Sequence, residues 1–277
     1  MAFTVRQMSL DDLKSVLHWA IAEGWNPGLH DAEPFYVTDP EGFFLGELDG
    51  QPVGSLSAVA YDEHFGFVGL NIVQPECRGQ GYGVDLWDTG MLHLGSRNVG
   101  LACAVAQQDY YEECGFHLAF QSTQLETIGG GTMPEGLTPL GQVPLKKLVE
   151  YDAKHFAVPR LRFLEAWIRQ PGTTALGLLR RGRMAGYGVL RQCHVGYKIG
   201  PLMANDAAAA ETLMQGLLAA APSASVFIDV PKPNAEAAAL AQRYRMRPVA
   251  ETSWMYTAKS PGVDLRKVFG MTTRGMG

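Results

Sequence analysis

Cysteine is scarce in this sequence, with four residues (Cys77, Cys103, Cys114 and Cys193) in a chain of 277. Their spacing matches no metal-binding motif, so we expect no metal centre. The first residues, Phe3 to Arg6, have the pattern of a strand and lack the apolar core of a signal peptide. We therefore expect reduced thiols and a cytoplasmic protein.

Long apolar runs are also missing. No stretch approaches the roughly 20 apolar residues that a membrane-spanning helix needs, so we expect no membrane partner. Hydrophobic residues nevertheless make up 47% of the chain, which is typical of globular proteins. The length suits one large domain or two ordinary ones.

Basic residues are rare in the first half of the chain. Residues 1–145 contain four basic and 19 acidic residues, a net charge of −15, whereas residues 146–277 contain 19 basic and nine acidic residues, a net charge of +10. Either the two halves attract each other across an interface, or the acidic half attracts a cationic acceptor. The overall acidity argues against nucleic acid as a partner.

One stretch, from Phe67 to Asp88, has the pattern of a strand, a glycine-rich turn and a helix. Phe67–Val73 has the composition of a strand, which Pro75 ends. Three glycines at alternate positions follow, and from Val84 the apolar residues recur at helical spacing. A glycine-rich turn between a strand and a helix N-terminus lets backbone N–H groups approach a phosphate. The alternative is a glycine-rich turn without a ligand.

The pattern excludes two common phosphate-binding motifs. Position 84 is Val, where a dinucleotide fingerprint requires Gly, and no Lys follows the glycines as in a Walker loop. What remains, Arg78-Gly79-Gln80-Gly81-Tyr82-Gly83, resembles the [RQ]-x-x-G-x-[GA] signature of the GCN5-related N-acetyltransferases (GNAT). The resemblance implies acetyl-CoA as co-substrate, bound by residues of the strand end and the loop. These are Ile72, Val73, Arg78, Gly79, Gln80, Gly81, Tyr82, Gly83 and Val84.

The order of predicted elements extends this resemblance. Strand, helical region, hairpin, strand, glycine loop with helix, strand, helix and strand follow one another up to Thr127, as in an acetyltransferase domain. The second half repeats the order with little sequence identity, including a possible strand at Val143–Leu145 and a helix at Ala207–Ala221. We expect an α/β (α+β) protein of two tandem GNAT-like domains, residues 1–130 and 140–277. Each domain should contain a mixed, mostly antiparallel sheet flanked by helices.

The second copy has lost the glycine loop. Residues 200–206 replace it, and Pro201 removes a backbone donor. Its Y-K-I-G-P-L and D-V-P-x-x-N segments resemble the C-terminal domain of YitH-like bacterial acetyltransferases. We expect this half to be a scaffold and a wall of the acceptor pocket.

Catalytic residues are predicted by resemblance to the family. Tyr111 belongs to a segment similar to the family's Y-x-x-x-G-F, whose Tyr commonly lies near the coenzyme sulfur as general acid. A phenol of pKa about 10 donates fully to a thiolate of pKa about 8.5 only with help, so a hydrogen bond is an alternative role. Tyr110 is the competing candidate, and packing is the alternative without catalysis. Gln107 and Gln108 stand where many members carry an Asn.

The acceptor site is predicted in the loop after the first helix. Glu23 is the candidate general base and acceptor ligand, and Trp25 and Asn26 beside it suit an amine. Asn71 is the only polar candidate on the strand before the glycine loop. The Asp62-Glu63-His64 turn is the alternative location, and a solvated surface charge is the alternative role of each carboxylate.

These features predict an acetyl-CoA-dependent N-acetyltransferase acting on a primary amine of a small cationic molecule. We expect direct transfer in a ternary complex, since no cysteine has the context of a nucleophile. The alternatives are a non-catalytic acyl-CoA sensor and a protein N-acetyltransferase. We expect a monomer or homodimer.

Overall fold

The computed structural model describes residues 2–156 and 158–277. The first half contains six strands and four helices. They are β1 (Phe3–Gln7), α1 (Leu10–Ala22), α2 (Ala32–Thr38), β2 (Phe43–Leu48), β3 (Gln51–Ala60), β4 (Phe65–Val73), α3 (Tyr82–Leu94), β5 (Asn98–Ala104), α4 (Gln108–Glu113) and β6 (His117–Ile128). Ser9 caps α1 through a capping box with Asp12, as its position before the apolar-periodic run predicts.

The second half repeats this order. Its elements are β7 (Leu137–Pro139), α5 (Leu145–Phe156), α6 (Leu161–Trp167), β8 (Thr174–Arg180), β9 (Arg183–Gln192), β10 (Tyr197–Ala204), α7 (Ala207–Ala219), β11 (Ser225–Pro231), α8 (Ala235–Arg243), β12 (Arg247–Tyr256) and β13 (Val268–Gly270). The expected mixed α/β architecture is confirmed. Among these helices, none is long and apolar enough to cross a bilayer.

The prediction of a strand at Val143–Leu145 is wrong. Helix α5 starts at Leu145, and the carbonyl of Pro144 accepts hydrogen bonds from the N–H groups of Lys147 and Leu148. The fixed φ of proline suits the start of a helix, so Pro144 directly precedes α5 instead of lying in a strand. The short strands β7 and β13 were not expected from the sequence.

The 13 strands of the described chain form one continuous sheet, in which the last strands of the two halves are exchanged. The order across the junction is β5-β12-β6-β11, so β12 of the second half lies between β5 and β6 of the first. Trp254 on β12 stacks on Phe120 of β6 at a centroid distance of 5.7 Å. Its indole N–H donates to Ser122 at 2.8 Å. The two halves therefore share backbone hydrogen bonds and core.

A gap opens in the sheet of the first half. Strands β4 and β5 pair in parallel only from Phe65 to Val68. The register of β4 against β3 then shifts, and Leu70 adopts a left-handed φ of 46°. The Ser55 hydroxyl donates to the Leu70 carbonyl at 2.8 Å, which holds this bulge. Beyond the bulge the two strands separate, and a space is left between them.

The corresponding gap in the second half is filled. Strands β10 and β11 pair in parallel only from Tyr197 to Ile199. Strand β13 then pairs with β10 through Leu202 and Met203, and Phe269 at its centre is buried. The C-terminal segment thus occupies, in the second half, the position that stays open in the first.

Candidate active site

The glycine loop has the backbone geometry of an anion site. Gly79 and Gly81 have φ values of 75° and 90°, and Gly81 is the N-cap of the 13-residue helix α3. Within residues 2–156 and 158–277, the N–H groups of Gly79, Gln80, Gly81 and Tyr82 have no protein acceptor. A Cβ added at Gly79 or Gly81 would meet no other atom within 4 Å, so the space beside the loop is open. These features fit the pyrophosphate of a coenzyme A thioester.

Arg78 and Glu23 form an ion pair beside this loop. The Nε of Arg78 also donates to the Val73 carbonyl at 2.9 Å. Glu23 therefore holds the loop arginine against the end of β4. In the described chain, Glu23 does not line the cavity that occupies the gap between β4 and β5. This geometry does not favour Glu23 as the residue that faces the acceptor, because its carboxylate is engaged by a cation.

The other residues predicted to bind acetyl-CoA lie at the end of β4, in the loop and in the first turn of α3. Tyr82 stacks on Phe3 at 4.5 Å, and its hydroxyl donates to Gln80 at 3.3 Å. Ile72 is buried, whereas Val84 is more than half exposed. Gly83, in the first turn of α3, would place a Cβ 3.5 Å from the Val73 side chain, an ordinary contact.

A cavity of about 210 Å³ occupies the gap between β4 and β5. Both halves line it. The first half contributes residues of α1, the following loop, α2, β4, β5, α4 and β6, and the second half contributes β9, β10, β12 and the C-terminal tail. The polar lining residues are Asn26, Asp31, Asn71, Gln107, Tyr111, Gln124, Arg191, Lys198, Thr252, Thr273 and Arg274.

Tyr111 and Asn71 meet at this cavity. The Tyr111 ring is buried, with Trp87 at 5.7 Å and Phe116 at 6.3 Å. Burial raises the pKa of the Tyr111 phenol to about 12, and the nearby polar side chain of Asn71 partly offsets this rise. Tyr110 is 55% exposed and, in the described part of the chain, does not line the cavity. The geometry therefore favours Tyr111 over Tyr110.

The loop after α1 is attached to the second half. The Asn26 side chain donates to the Val195 carbonyl at 2.8 Å and accepts from the Val195 N–H at 2.9 Å. Trp25 and Asn26, which the sequence predicts to contact the acceptor, line the cavity, and Trp25 stays 45% exposed. Because one amide donor and the oxygen of Asn26 bond to Val195, this residue mainly positions the loop.

Two groups of buried charges lie at the cavity. Arg191 is paired with Asp31, with Nε–Oδ1 at 2.8 Å and Nη2–Oδ2 at 3.2 Å. Lys198 and Arg274 share Asp229, at 2.6 and 3.0 Å. Sequence reasoning missed all five as site residues, since isolated charges far apart in the sequence, three in strands and two in loops, give no local signal of a common site.

The Asp62-Glu63-His64 turn lies elsewhere. Asp62 accepts hydrogen bonds from the N–H groups of His64 and Phe65, both at 2.8 Å, so it closes the β3–β4 turn. In the described chain none of these three residues lines the cavity. Nor do the described residues contain a cluster of three or more His, Cys, Asp or Glu side chains suited to a metal.

Comparison with known proteins identifies both halves. Residues 10–116 match the acetyltransferase (GNAT) family model and residues 148–270 match an acetyltransferase (GNAT) domain model. The chain is a tandem GNAT acyltransferase. It is 28% identical over 278 residues to the holothin acyltransferase of Pseudoalteromonas sp., covering 99% of this chain and 95% of that protein.

Two solved structures share the fold of this GNAT protein. A putative acetyltransferase from Pyrococcus horikoshii superposes with a TM-score of 0.85 at 20% identity, covering 99% of this chain and 96% of the other. A tandem GNAT protein from the clavulanic acid biosynthesis pathway gives a TM-score of 0.62 at 15% identity, covering 94% and 100%. At these identities the likeness shows the fold alone.

Proposed function

We propose that this protein transfers an acetyl group from acetyl-CoA to a primary amine of a small molecule, by direct attack within a ternary complex. The observation that carries the proposal is that β4 leads from the cavity lining at Asn71 to the open glycine loop, and that Arg78 of the loop pairs with Glu23, the neighbour of the lining residue Gly24. A thioester held at the loop would extend its acyl end into the space that Tyr111 and Asn71 border. The acceptor occupies the part of the cavity that the second half lines.

The reaction needs a neutral amine and a stabilised leaving thiolate. The amine nitrogen forms a bond to the thioester carbonyl carbon, the carbon–sulfur bond breaks, and the sulfur receives the electron pair. The Tyr111 phenol, with its pKa raised to about 12, would lose its proton to a thiolate of pKa about 8.5 at a cost of about 5 kcal/mol. We therefore assign Tyr111 a hydrogen bond to the leaving sulfur, not a complete proton transfer.

The described lining residues offer no free carboxylate as a general base. Among the described lining residues Asp31 is the only carboxylate, and Arg191 holds both its oxygens. We infer that the amine loses its proton to water before or during attack. The kcat/KM should then rise with pH until the amine is neutral, with a midpoint that follows the pKa of the amine supplied.

The charges at the cavity do not favour the strongly cationic acceptor that the acidic first half predicts. The lining contains Arg191, Lys198 and Arg274 against a single carboxylate. The net charge of −15 over residues 1–145 instead suits the other interpretation, attraction between the halves, which the buried Asp31–Arg191 pair exemplifies.

The enclosed shape also bears on the alternative acceptors. A protein N-terminus or lysine would have to enter a cavity of about 210 Å³ that the second half and the tail border. A small molecule fits this space better. A catalytic role is favoured over a sensor because the cavity adjoins the loop and contains a buried phenol at its acyl end.

The deciding experiment incubates the full chain with acetyl-CoA and a panel of primary amines, and follows free thiol. We expect turnover that depends on the amine and yields one N-acetyl product for each thiol released. Calorimetric binding of acetyl-CoA without turnover of any amine would favour a sensor. Acetylation of peptides in preference to small amines would favour a protein acetyltransferase.

A further inference from the structure

The wall that the second half supplies to the cavity carries an unmatched positive charge. Arg191 and Asp31 form a buried pair with no net charge. Lys198 and Arg274, in contrast, share the single carboxylate of Asp229. These five residues therefore contribute three positive and two negative charges.

This excess charge is poorly solvated. Asp229 is 0% exposed and Lys198 is 5% exposed, and only Arg274 reaches solvent, with a third of its side chain. Burial lowers the pKa of Lys198, whereas the Asp229 carboxylate raises it. A buried cation without a counter-charge is unfavourable, and an anion entering the cavity would remove this penalty.

Unpartnered polar atoms occur on the same wall. Within the described chain, Nη1 of Arg191, Oγ1 of Thr252 and Nε of Arg274 are buried without a hydrogen-bond partner. All three residues line the cavity. Buried donors without partners are rare in folded proteins, and several along one cavity wall indicate a ligand group or water that accepts from them.

We propose that the acceptor carries, besides its amine, a carboxylate that docks on Arg274 beside Lys198. The carboxylate supplies the missing negative charge and accepts hydrogen bonds from the guanidinium. It would anchor the acceptor at the second-half wall, with its amine directed towards β4 and Tyr111. This inference rests on the proposed function and names the substrate class of that site.

The phosphates of coenzyme A are the other possible source of negative charge. Their predicted site is the start of α3, where the open backbone N–H groups lie. Arg274 instead belongs to the tail that follows β13 and is tied to β11 through Asp229. A change at Arg274 should therefore leave acetyl-CoA affinity unchanged if the charge serves the acceptor.

The test compares matched amines: phenylalanine, its carboxamide and phenethylamine, and likewise β-alanine and its carboxamide. We expect the carboxylate members to have a kcat/KM about tenfold or more above the neutral members, as a hydrogen bond to a charged group is worth about 1.5–3 kcal/mol. In Arg274→Gln this preference should fall towards unity, and Arg274→Lys should restore part of it. Arg274→Gln should fold, because Lys198 and Asp229 remain as a matched pair.

A binding measurement separates this inference from the proposed function. Calorimetry on the full chain saturated with coenzyme A should show tighter binding of N-acetylphenylalanine than of its carboxamide, whether or not any amine is turned over. Arg243→Gln, at an exposed ion pair with Glu211, is the control and should keep the preference. Equal affinities for the two compounds, a preference unchanged in Arg274→Gln, or loss of acetyl-CoA affinity in that variant would each overturn the proposal.

Discussion

The backbone of Gly275 lies directly against Gly69, so that a Cβ built on Gly69 would be 2.6 Å from the Gly275 carbonyl oxygen. The C-terminal tail thus reaches β4 of the first half at the place where the sheet opens. Nearby, the Tyr61 hydroxyl donates to the Met276 carbonyl at 2.6 Å. The tail that fills the gap of the second half therefore also borders the open cavity of the first.

Replacing Gly69 with Ala should displace this tail. The added methyl group would overlap backbone atoms of Gly275, which cannot move aside by a rotamer change. We expect faster amide hydrogen exchange over residues 273–277 and a several-fold higher acceptor KM. Gly141→Ala is the matched control, since a Cβ there meets no atom within 4 Å. Unchanged exchange in Gly69→Ala would show that the tail does not depend on this contact.

Replacing Gly81 with Ala tests the glycine loop. A side chain at φ 90° is strained and would stand at the helix start where the phosphates are expected. We expect acetyl-CoA affinity to fall by more than tenfold, measured by calorimetry.

Gly50 is the control for backbone strain. It has a φ of 79° in the β2–β3 turn, and a Cβ there also meets no other atom. Gly81→Ala and Gly50→Ala should each lower the free energy of unfolding by about 1–2 kcal/mol. Gly50→Ala should nevertheless keep its acetyl-CoA affinity. Equal affinity losses in both variants would indicate strain alone and not a phosphate site.

Replacing Tyr111 with Phe should lower kcat by about five- to thirtyfold with little change in the KM values. This range corresponds to the loss of one hydrogen bond of about 1–2 kcal/mol to the leaving sulfur. Tyr110→Phe should retain full activity because that side chain is exposed. A loss of a hundredfold or more in Tyr111→Phe would instead indicate complete proton donation.

Replacing Asp229 with Asn should destabilise the protein in a pH-dependent way. Burial raises the pKa of Asp229, but Lys198 and Arg274 outweigh it and lower the pKa to about 2. Because this value lies below that of an unfolded Asp, about 3.9, the charged carboxylate contributes stability above about pH 4. That contribution disappears as the pH falls towards 2.

The free energy of unfolding of both proteins should be measured by denaturant titration between pH 7 and 2. We expect the difference between wild type and Asp229→Asn to be large at pH 7 and to shrink below pH 4. Asp264→Asn, at an exposed pair with Arg266, should show a small difference at every pH. A difference for Asp229→Asn that is constant with pH would exclude the ion pairs as its cause.

The local pattern of the sequence determined most of the helices and strands and the glycine loop. Strand β4 ends at Val73, shortly before Pro75, as the sequence predicts, and Gly79 and Gly81 of the loop have left-handed φ values that only glycine adopts easily. These features depend on neighbours in the chain, so they can be read from it. Tyr111, Asn71 and Trp25 line the cavity. They belong to segments in which the sequence predicts catalytic or acceptor-binding residues.

Only the tertiary structure decided how the two halves combine. The exchange of β6 and β12, the filling of the second gap by β13, and the pairing of Glu23 with Arg78 join residues distant in sequence. The charge of the cavity is the clearest case. The net charge of the first half predicts a cationic acceptor, yet Arg191, Lys198 and Arg274 reach the site from the second half. Electrostatic interactions depend on distance in space, and the distance between such residues is set by the fold, not by their order in the chain.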